Sequence, residues 1–186
     1  MSTFDYSGLS DLDLNIKEIY AIEQLWAKQR VNQAFWQETP QLFLSNYIRC
    51  LRSAIPCGAV PSVVAAQGIL ESGWFSTDSL FGVKATKLQL KAGQGTQEDT
   101  HEVVNGVSIP QVSTFFETPS VQNNFANYYS YRMRVKQNSV SFLPANAIGY
   151  LTYLQADPAY STAGSAYIDS VMATIQSNGL QAFDHV

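Results

Sequence analysis

Histidine and cysteine are scarce in this chain: His101 and His185, Cys50 and Cys57, two of each in 186 residues. No spacing among them matches a zinc site, and no Cys/His pair stands out as nucleophile and base, so metal-assisted and thiol chemistry are poor readings. Charge is thin as well. Charged residues make up 14% of the sequence, and 11 basic against 15 acidic residues give a formal net charge of −4. A nucleic-acid binder needs a basic face to displace counterions, so nucleic acid is not an expected partner. Capture of any anionic polymer by overall charge is also disfavoured, while a local basic patch stays open. No apolar run approaches a membrane span, so no membrane insertion is expected. The start, Met1-Ser2-Thr3-Phe4-Asp5, lacks the basic residues and apolar stretch of a secretory signal peptide. The expectation is a soluble chain made without a standard export signal. No internal repeat or low-complexity linker interrupts it. Cys50 and Cys57 flank a helix end near Pro56; two buried free thiols are expected in a reducing compartment, and a bridge competes in an oxidising one.

What is abundant is apolar. Hydrophobic residues reach 46%, with 3 Trp, 10 Tyr and 10 Phe, enough to bury a real core in a chain of one-domain length. Most of these aromatics belong in that core, so they argue only weakly for a sugar-binding groove. Helix signals come in sequence. Ser10 or Asp11 caps a first helix to about Trp36, with Ile16, Ile19, Tyr20, Ile22, Trp26 and Phe35 on its apolar side. Thr39-Pro40 opens a second through about Ala54, turning Leu42, Leu44, Tyr47, Ile48 and Leu51 inward. Later helices are expected over about 120–132, from Pro144 through Leu154, and from Ser161 or Gly164 to Asn178-Gly179. The stretch Lys91–Gln97 reads as a surface loop.

The most informative run is Ala65-Ala66-Gln67-Gly68-Ile69-Leu70-Glu71-Ser72-Gly73-Trp74, followed by Leu80-Phe81-Gly82-Val83-Lys84-Ala85. Pro61 suits a first helical turn, and Gly73 suits the left-handed residue that closes a helix. Ala65, Ala66 and Gly68 let another backbone approach. Glu71 then falls on the last turn, where unpaired carbonyls carry partial negative charge and favour the protonated acid. A carboxyl group held protonated near neutral pH can act as a general acid. A surface glutamate that happens to lie near a helix end is the competing reading.

The clearest hairpin signal is Glu102-Val103-Val104-Asn105-Gly106-Val107-Ser108-Ile109. Asn-Gly is the preferred two-residue turn when both central residues need positive φ. That register pairs Val104 with Val107 and Glu102 with Ile109. Glu102 then shares a face with Val104, Val107 and Ile109, a costly place for a carboxylate without a role. The alternative is that Glu102 lies at the open end and reaches water. Glu98 and Asp99 are rivals if the register shifts.

Ala66-Gln67, Leu70–Trp74 and Leu80–Ala85 together resemble the catalytic signature of glycoside hydrolase family 73, the lysozyme-like N-acetylglucosaminidases that cleave peptidoglycan. The resemblance is strong over roughly Pro61–Gly106 and plausible from about Thr39 onward. It implies an α+β, mostly α fold: a lysozyme-like helical domain over residues 38–186 with a small β-hairpin, and residues 1–37 as a helical extension packed on it. It implies Glu71 as the general acid, with no cofactor and no metal. Thr100-His101-Glu102-Val103-Val104-Asn105-Gly106 resembles the family hairpin that carries a second catalytic glutamate, matched here by Glu102. Phe81 is expected in the floor or core beneath the cleft. Trp74 either stacks on sugar or packs under the helix end, and Tyr160, in Asp157-Pro158-Ala159-Tyr160, resembles a family tyrosine near the acid. Departures are equally plain: Phe75 stands where glycine is common, Ser79 where asparagine is, and Phe115-Phe116-Glu117-Thr118 lacks the usual arginine and tyrosine.

The implied reaction is cleavage of the β-1,4 bond between N-acetylglucosamine and N-acetylmuramic acid in peptidoglycan glycan strands. Lacking an export signal, the chain is expected to be made in the cytoplasm and to reach a target cell's periplasm as an antibacterial effector of type VI secretion. That setting implies a cognate periplasmic immunity protein as partner. A phage tail lysin, a muramidase and a catalytically idle glycan-binding module are the alternatives.

Overall fold

The computed structural model describes residues 3–34, 36–77, 79–104, 107–137, 146–155 and 164–184; the side chains of 102–104 and 131–137 are outside this description. Its elements are α1 (Ile16–Lys28), α2 (Pro40–Arg52), α3 (Pro61–Glu71), a short α4 (Lys87–Lys91), strands β1 (Gly95–Val104) and β2 (Val107–Phe116), α5 (Val121–Gln137), α6 (Ala147–Gln155) and α7 (Ser165–Ser177). Short 3-10 turns occupy Tyr6–Leu9 and Leu180–Asp184. Among the described residues the protein is mostly helical with one antiparallel hairpin, as expected.

Helix α3 is the hub. Every residue from Pro61 to Ile69 is buried, and α2, α6, α7 and the last 3-10 turn pack around it. A helix apolar on all sides needs neighbours on all sides. Its N-terminus lacks a local side-chain cap, because Val60 stands at that position. Asp184 supplies one from the far end of the chain: its two carboxylate oxygens accept from the Ser62 N–H and the Ser62 hydroxyl, each at 2.8 Å. The carboxylate also meets the positive end of the helix dipole.

The first helix is shorter than expected. Asn15, not Ser10 or Asp11, caps α1 in a reciprocal box with Glu18. The chain leaves the helix at Gln29 because the next free N–H groups bond elsewhere: Arg30 donates to the Trp74 carbonyl at 3.0 Å and Asn32 to that of Phe75 at 3.2 Å. Ala21, Ile22 and Leu25 face the core, whereas Ile16, Ile19 and Tyr20 are exposed, so the inward stripe differs from the expected one. Phe35 lies outside the described residues. Within α2, which starts at its Thr39 cap as expected, Phe43 rather than Leu42 points inward. Buried Glu18 binds Arg52 at 2.7 Å and so ties α1 to α2.

The stretch expected as a loop over 91–97 instead closes α4 and begins β1 at Gly95. Thr86 and Gln89 form a capping box that nucleates α4. The hairpin is therefore longer than its apolar signal, but its register is the expected one: Glu102 opposite Ile109, Val103 opposite Ser108 and Val104 opposite Val107. Asn105 and Gly106 lie outside the described residues. Cys50 and Cys57 are both half-buried free thiols. Burial, with Glu38 nearby, pushes the Cys50 thiol up to about 12.

Candidate active site

Glu71 ends α3 and is exposed, although the nine residues from Pro61 to Ile69 are buried. The helix thus carries one carboxylate from the core to the surface. Gly68 sits one turn earlier, and what approaches it is not backbone, as expected, but two side chains. A Cβ at Gly68 would lie 2.6 Å from the Tyr47 hydroxyl and 3.3 Å from Phe81 Cε1. Tyr47 donates its hydroxyl to the Ala65 carbonyl at 2.9 Å, and its full burial keeps that phenol neutral, pushed well above its ordinary value.

The carboxylate accepts a hydrogen bond at one oxygen and has close backbone beside the other. Tyr167, in the first turn of α7, donates its hydroxyl to Glu71 Oε1 at 2.8 Å. From the other side, the Leu80–Ala85 segment brings Gly82 so close that a Cβ there would stand 2.9 Å from Glu71 Oε2. Gly82 has φ of +58°, so glycine is required there for conformation and for space. Behind Tyr167 lies Gln67, on the same face of α3 as Glu71 by the four-residue spacing. Its Nε2 donates to the Tyr167 oxygen at 3.3 Å, while its Oε1 accepts from the buried Tyr128 hydroxyl.

Residues 80–85 also tie Glu71 to the hairpin. Leu80 and Phe81 are buried, and the Phe81 ring packs on Phe125 and Tyr128 with centroids 5.0 and 4.5 Å away. The Ala85 N–H donates to the Thr114 carbonyl at 2.9 Å and Phe116 donates to Val83 at 2.8 Å, so the segment runs along the base of β2. The two motifs, separated in sequence, meet here.

The turn after Glu71 is unusual. Gly73, Trp74 and Phe75 all take left-handed conformations, with φ of +53°, +63° and +67°. Gly73 fills the role expected of it. Ser72 braces the turn: its hydroxyl bonds to the Gly68 carbonyl and accepts from the Phe75 N–H at 2.8 Å. Trp74 is half-buried against the core, with the Lys28 ammonium 5.7 Å from its ring centroid. Phe75, where glycine was the usual residue, is fully buried, its ring 5.0 Å from that of Phe43 and 4.9 Å from Tyr47.

Comparison with known proteins places this architecture. No family model matches the sequence. The chain is 29% identical to an autolysin of Enterococcus faecalis over a match that takes in 67% of this chain and 19% of that protein, so it spans about a fifth of that relative's length. Among solved structures, it is similar to a glycoside hydrolase domain of FlgJ from Salmonella typhimurium, with a TM-score of 0.53 and 25% identity over 73% of this chain and 94% of that one. The catalytic domain of the autolysin Auto from Listeria monocytogenes gives a TM-score of 0.51 at 19% identity, covering 78% and 89%. A peptidoglycan hydrolase from Sphingomonas sp. A1 gives 0.53 at 21%, covering 76% and 96%. The fold is lysozyme-like.

Of the residues singled out in the sequence, Glu71, Trp74 and Phe81 thus lie in one neighbourhood around the end of α3. Glu102 lies in β1 opposite Ile109, and its side chain is outside the described residues, as is the whole of Tyr160. Glu98 and Asp99 also lie in β1 and are exposed. Sequence reasoning missed Tyr167 and Tyr128, since only the packing of α7 on α3 and of α5 on α2 brings them to Gln67. The one available signal was Gln67 itself, a polar side chain inside a run of buried small and apolar residues. Among the described residues no group of three or more His, Cys, Asp or Glu is placed to hold a metal, and no helix is long and apolar enough to cross a membrane.

Proposed function

We propose that this protein is a peptidoglycan glycoside hydrolase, an endo-β-N-acetylglucosaminidase that cleaves the β-1,4 bond from N-acetylglucosamine to N-acetylmuramic acid. The observation that carries the reading is Glu71: an exposed carboxylate at the end of a buried helix, held between the Tyr167 hydroxyl and Gly82. Glycoside cleavage needs an acid to protonate the departing oxygen and a second carboxylate to activate water or stabilise the oxocarbenium ion. Glu71 takes the first role and Glu102, on β1, the second. Trp74 and Tyr160 serve as sugar contacts, and Phe81 supports the floor from beneath. The similarity to an autolysin and to a FlgJ glycoside hydrolase domain supports a wall glycan as substrate.

Digestion of peptidoglycan sacculi followed by analysis of new reducing ends tests the assignment. Soluble fragments ending in N-acetylglucosamine are expected, and Glu102→Gln should lower their release by at least about 100-fold. Reducing ends on N-acetylmuramic acid would make the protein a muramidase. Sedimentation with sacculi and no new ends would make it a glycan-binding module. Delivery by type VI secretion, with an immunity protein guarding the producer, rests on the sequence resemblance alone. Recovery of no tight periplasmic partner in a pull-down would count against it.

A further inference from the structure

Three hydrogen bonds behind Glu71 run in one direction. Tyr128 donates to Gln67 Oε1, Gln67 donates through Nε2 to the Tyr167 oxygen, and Tyr167 donates to Glu71 Oε1. An amide has a donor end and an acceptor end, and a phenol has one proton to give. By accepting from Tyr128, the Gln67 carbonyl is turned toward α5 and its NH₂ toward α7. The NH₂ group cannot accept, so the Tyr167 proton is directed at Glu71. Tyr128 and Gln67 are 1% and 2% exposed, so water competes little for the bond between them, while the bond from Tyr167 to Glu71 lies at the exposed end of the chain of bonds.

We propose that Gln67 and Tyr128 are positioning residues that fix Tyr167 as a donor to the acid, so that Tyr167 stabilises the carboxylate Glu71 becomes on giving up its proton. This deepens the hydrolase reading and rests on it. In the acid form Oε1 accepts from Tyr167, which leaves the proton on Oε2, the oxygen beside Gly82. As the C1–O bond breaks, its electron pair goes to the bridging oxygen, which takes the Oε2 proton, and water that gives its proton to Glu102 closes on the oxocarbenium ion left at C1. The charge left on Glu71 spreads onto Oε1, where the Tyr167 bond shortens. That bond is stronger after proton transfer than before, which is the condition for lowering a barrier.

A double-mutant cycle on sacculus hydrolysis tests the chain of bonds. Tyr167→Phe should lower kcat by about 10- to 100-fold, the worth of one hydrogen bond to a forming charge, with KM little changed. Tyr128→Phe should lower it about 3- to 10-fold in the wild-type background and have no further effect once Tyr167 is Phe. Gln67→Glu keeps the shape but presents acceptors to both tyrosines, drawing the Tyr167 proton away from Glu71. It should behave like Tyr167→Phe and move the alkaline limb of the kcat profile to higher pH, because a carboxylate without its donor holds its proton more tightly. Additive effects of the two tyrosine changes, or an unmoved pH limb in Gln67→Glu with native circular dichroism, would overturn the proposal. Carbon-13 NMR titration of Glu71 reads the same shift without substrate. An upward shift in Tyr167→Phe and Gln67→Glu supports the relay even if sacculi prove not to be the substrate, and no shift in either refutes it.

Discussion

Phe75 offers a test of the turn that carries Glu71. Its backbone sits at φ of +67°, a conformation that costs an L-residue about 1–2 kcal/mol. The ring is fully buried among Phe43 and Tyr47, and burial of a Phe side chain contributes about 1.5–3 kcal/mol, enough to offset the strain. Truncation to alanine loses the ring and keeps the strain, for a cost of about 3–5 kcal/mol. Truncation to glycine loses the same ring but relieves the strain. Subtracting about 0.5–1 kcal/mol for the extra chain freedom glycine loses on folding leaves Phe75→Gly more stable than Phe75→Ala by roughly 0.5–1 kcal/mol. Phe43, inside α2, provides the control with opposite sign: there glycine should be the worse variant, by about 1 kcal/mol. Urea denaturation of the four variants measures both differences. If Phe75→Ala equals or exceeds Phe75→Gly in stability, the turn is not strained and the account of Phe75 fails.

Three further outcomes follow from the same geometry. Gly82→Ala places a methyl group 2.9 Å from Glu71 Oε2 at a residue with positive φ; sacculus hydrolysis should fall by about 100-fold or more while circular dichroism stays native. Asp184→Ala removes the cap on α3 and should cost about 1 kcal/mol by thermal denaturation, with Asp184→Asn losing less. The Arg49 guanidinium, bonded to Asp11, holds that carboxyl below its ordinary value of 3.8. A depressed folded value means the stabilisation is present above the ordinary one and is lost as pH falls through the folded one. Arg49→Gln should therefore flatten the acid limb of the stability profile below pH of about 4, and an unchanged limb would show that the pair contributes nothing.

Features written in local sequence were legible. Thr39-Pro40 and Pro61 mark true helix starts, Gly73 takes its left-handed turn, and the register expected between β1 and β2 is the one observed. What was not legible depends on partners distant in sequence. The end of α1 is decided by the carbonyls of Trp74 and Phe75, which take the N–H groups a longer helix would have used. The cap of α3 comes from Asp184, 122 residues beyond Ser62. Around Glu71, the motif glycines at 68 and 82 could be noticed, but what they make room for could not. Tyr47 and Phe81 fill the first space and the Glu71 carboxylate the second. Tyr167 carries no signal of its own, because its role exists only where the first turn of α7 meets the Gln67–Glu71 face of α3.

The central claim is that Glu71 is the acid that breaks the glycan. The most direct measurement is reducing-end release from sacculi by wild type and Glu71→Gln, side by side, with matched thermal stability. Replacement by the amide keeps the shape and removes the transferable proton, so the account predicts release lowered by at least about 100-fold. Release at the wild-type rate from a folded Glu71→Gln protein would contradict it.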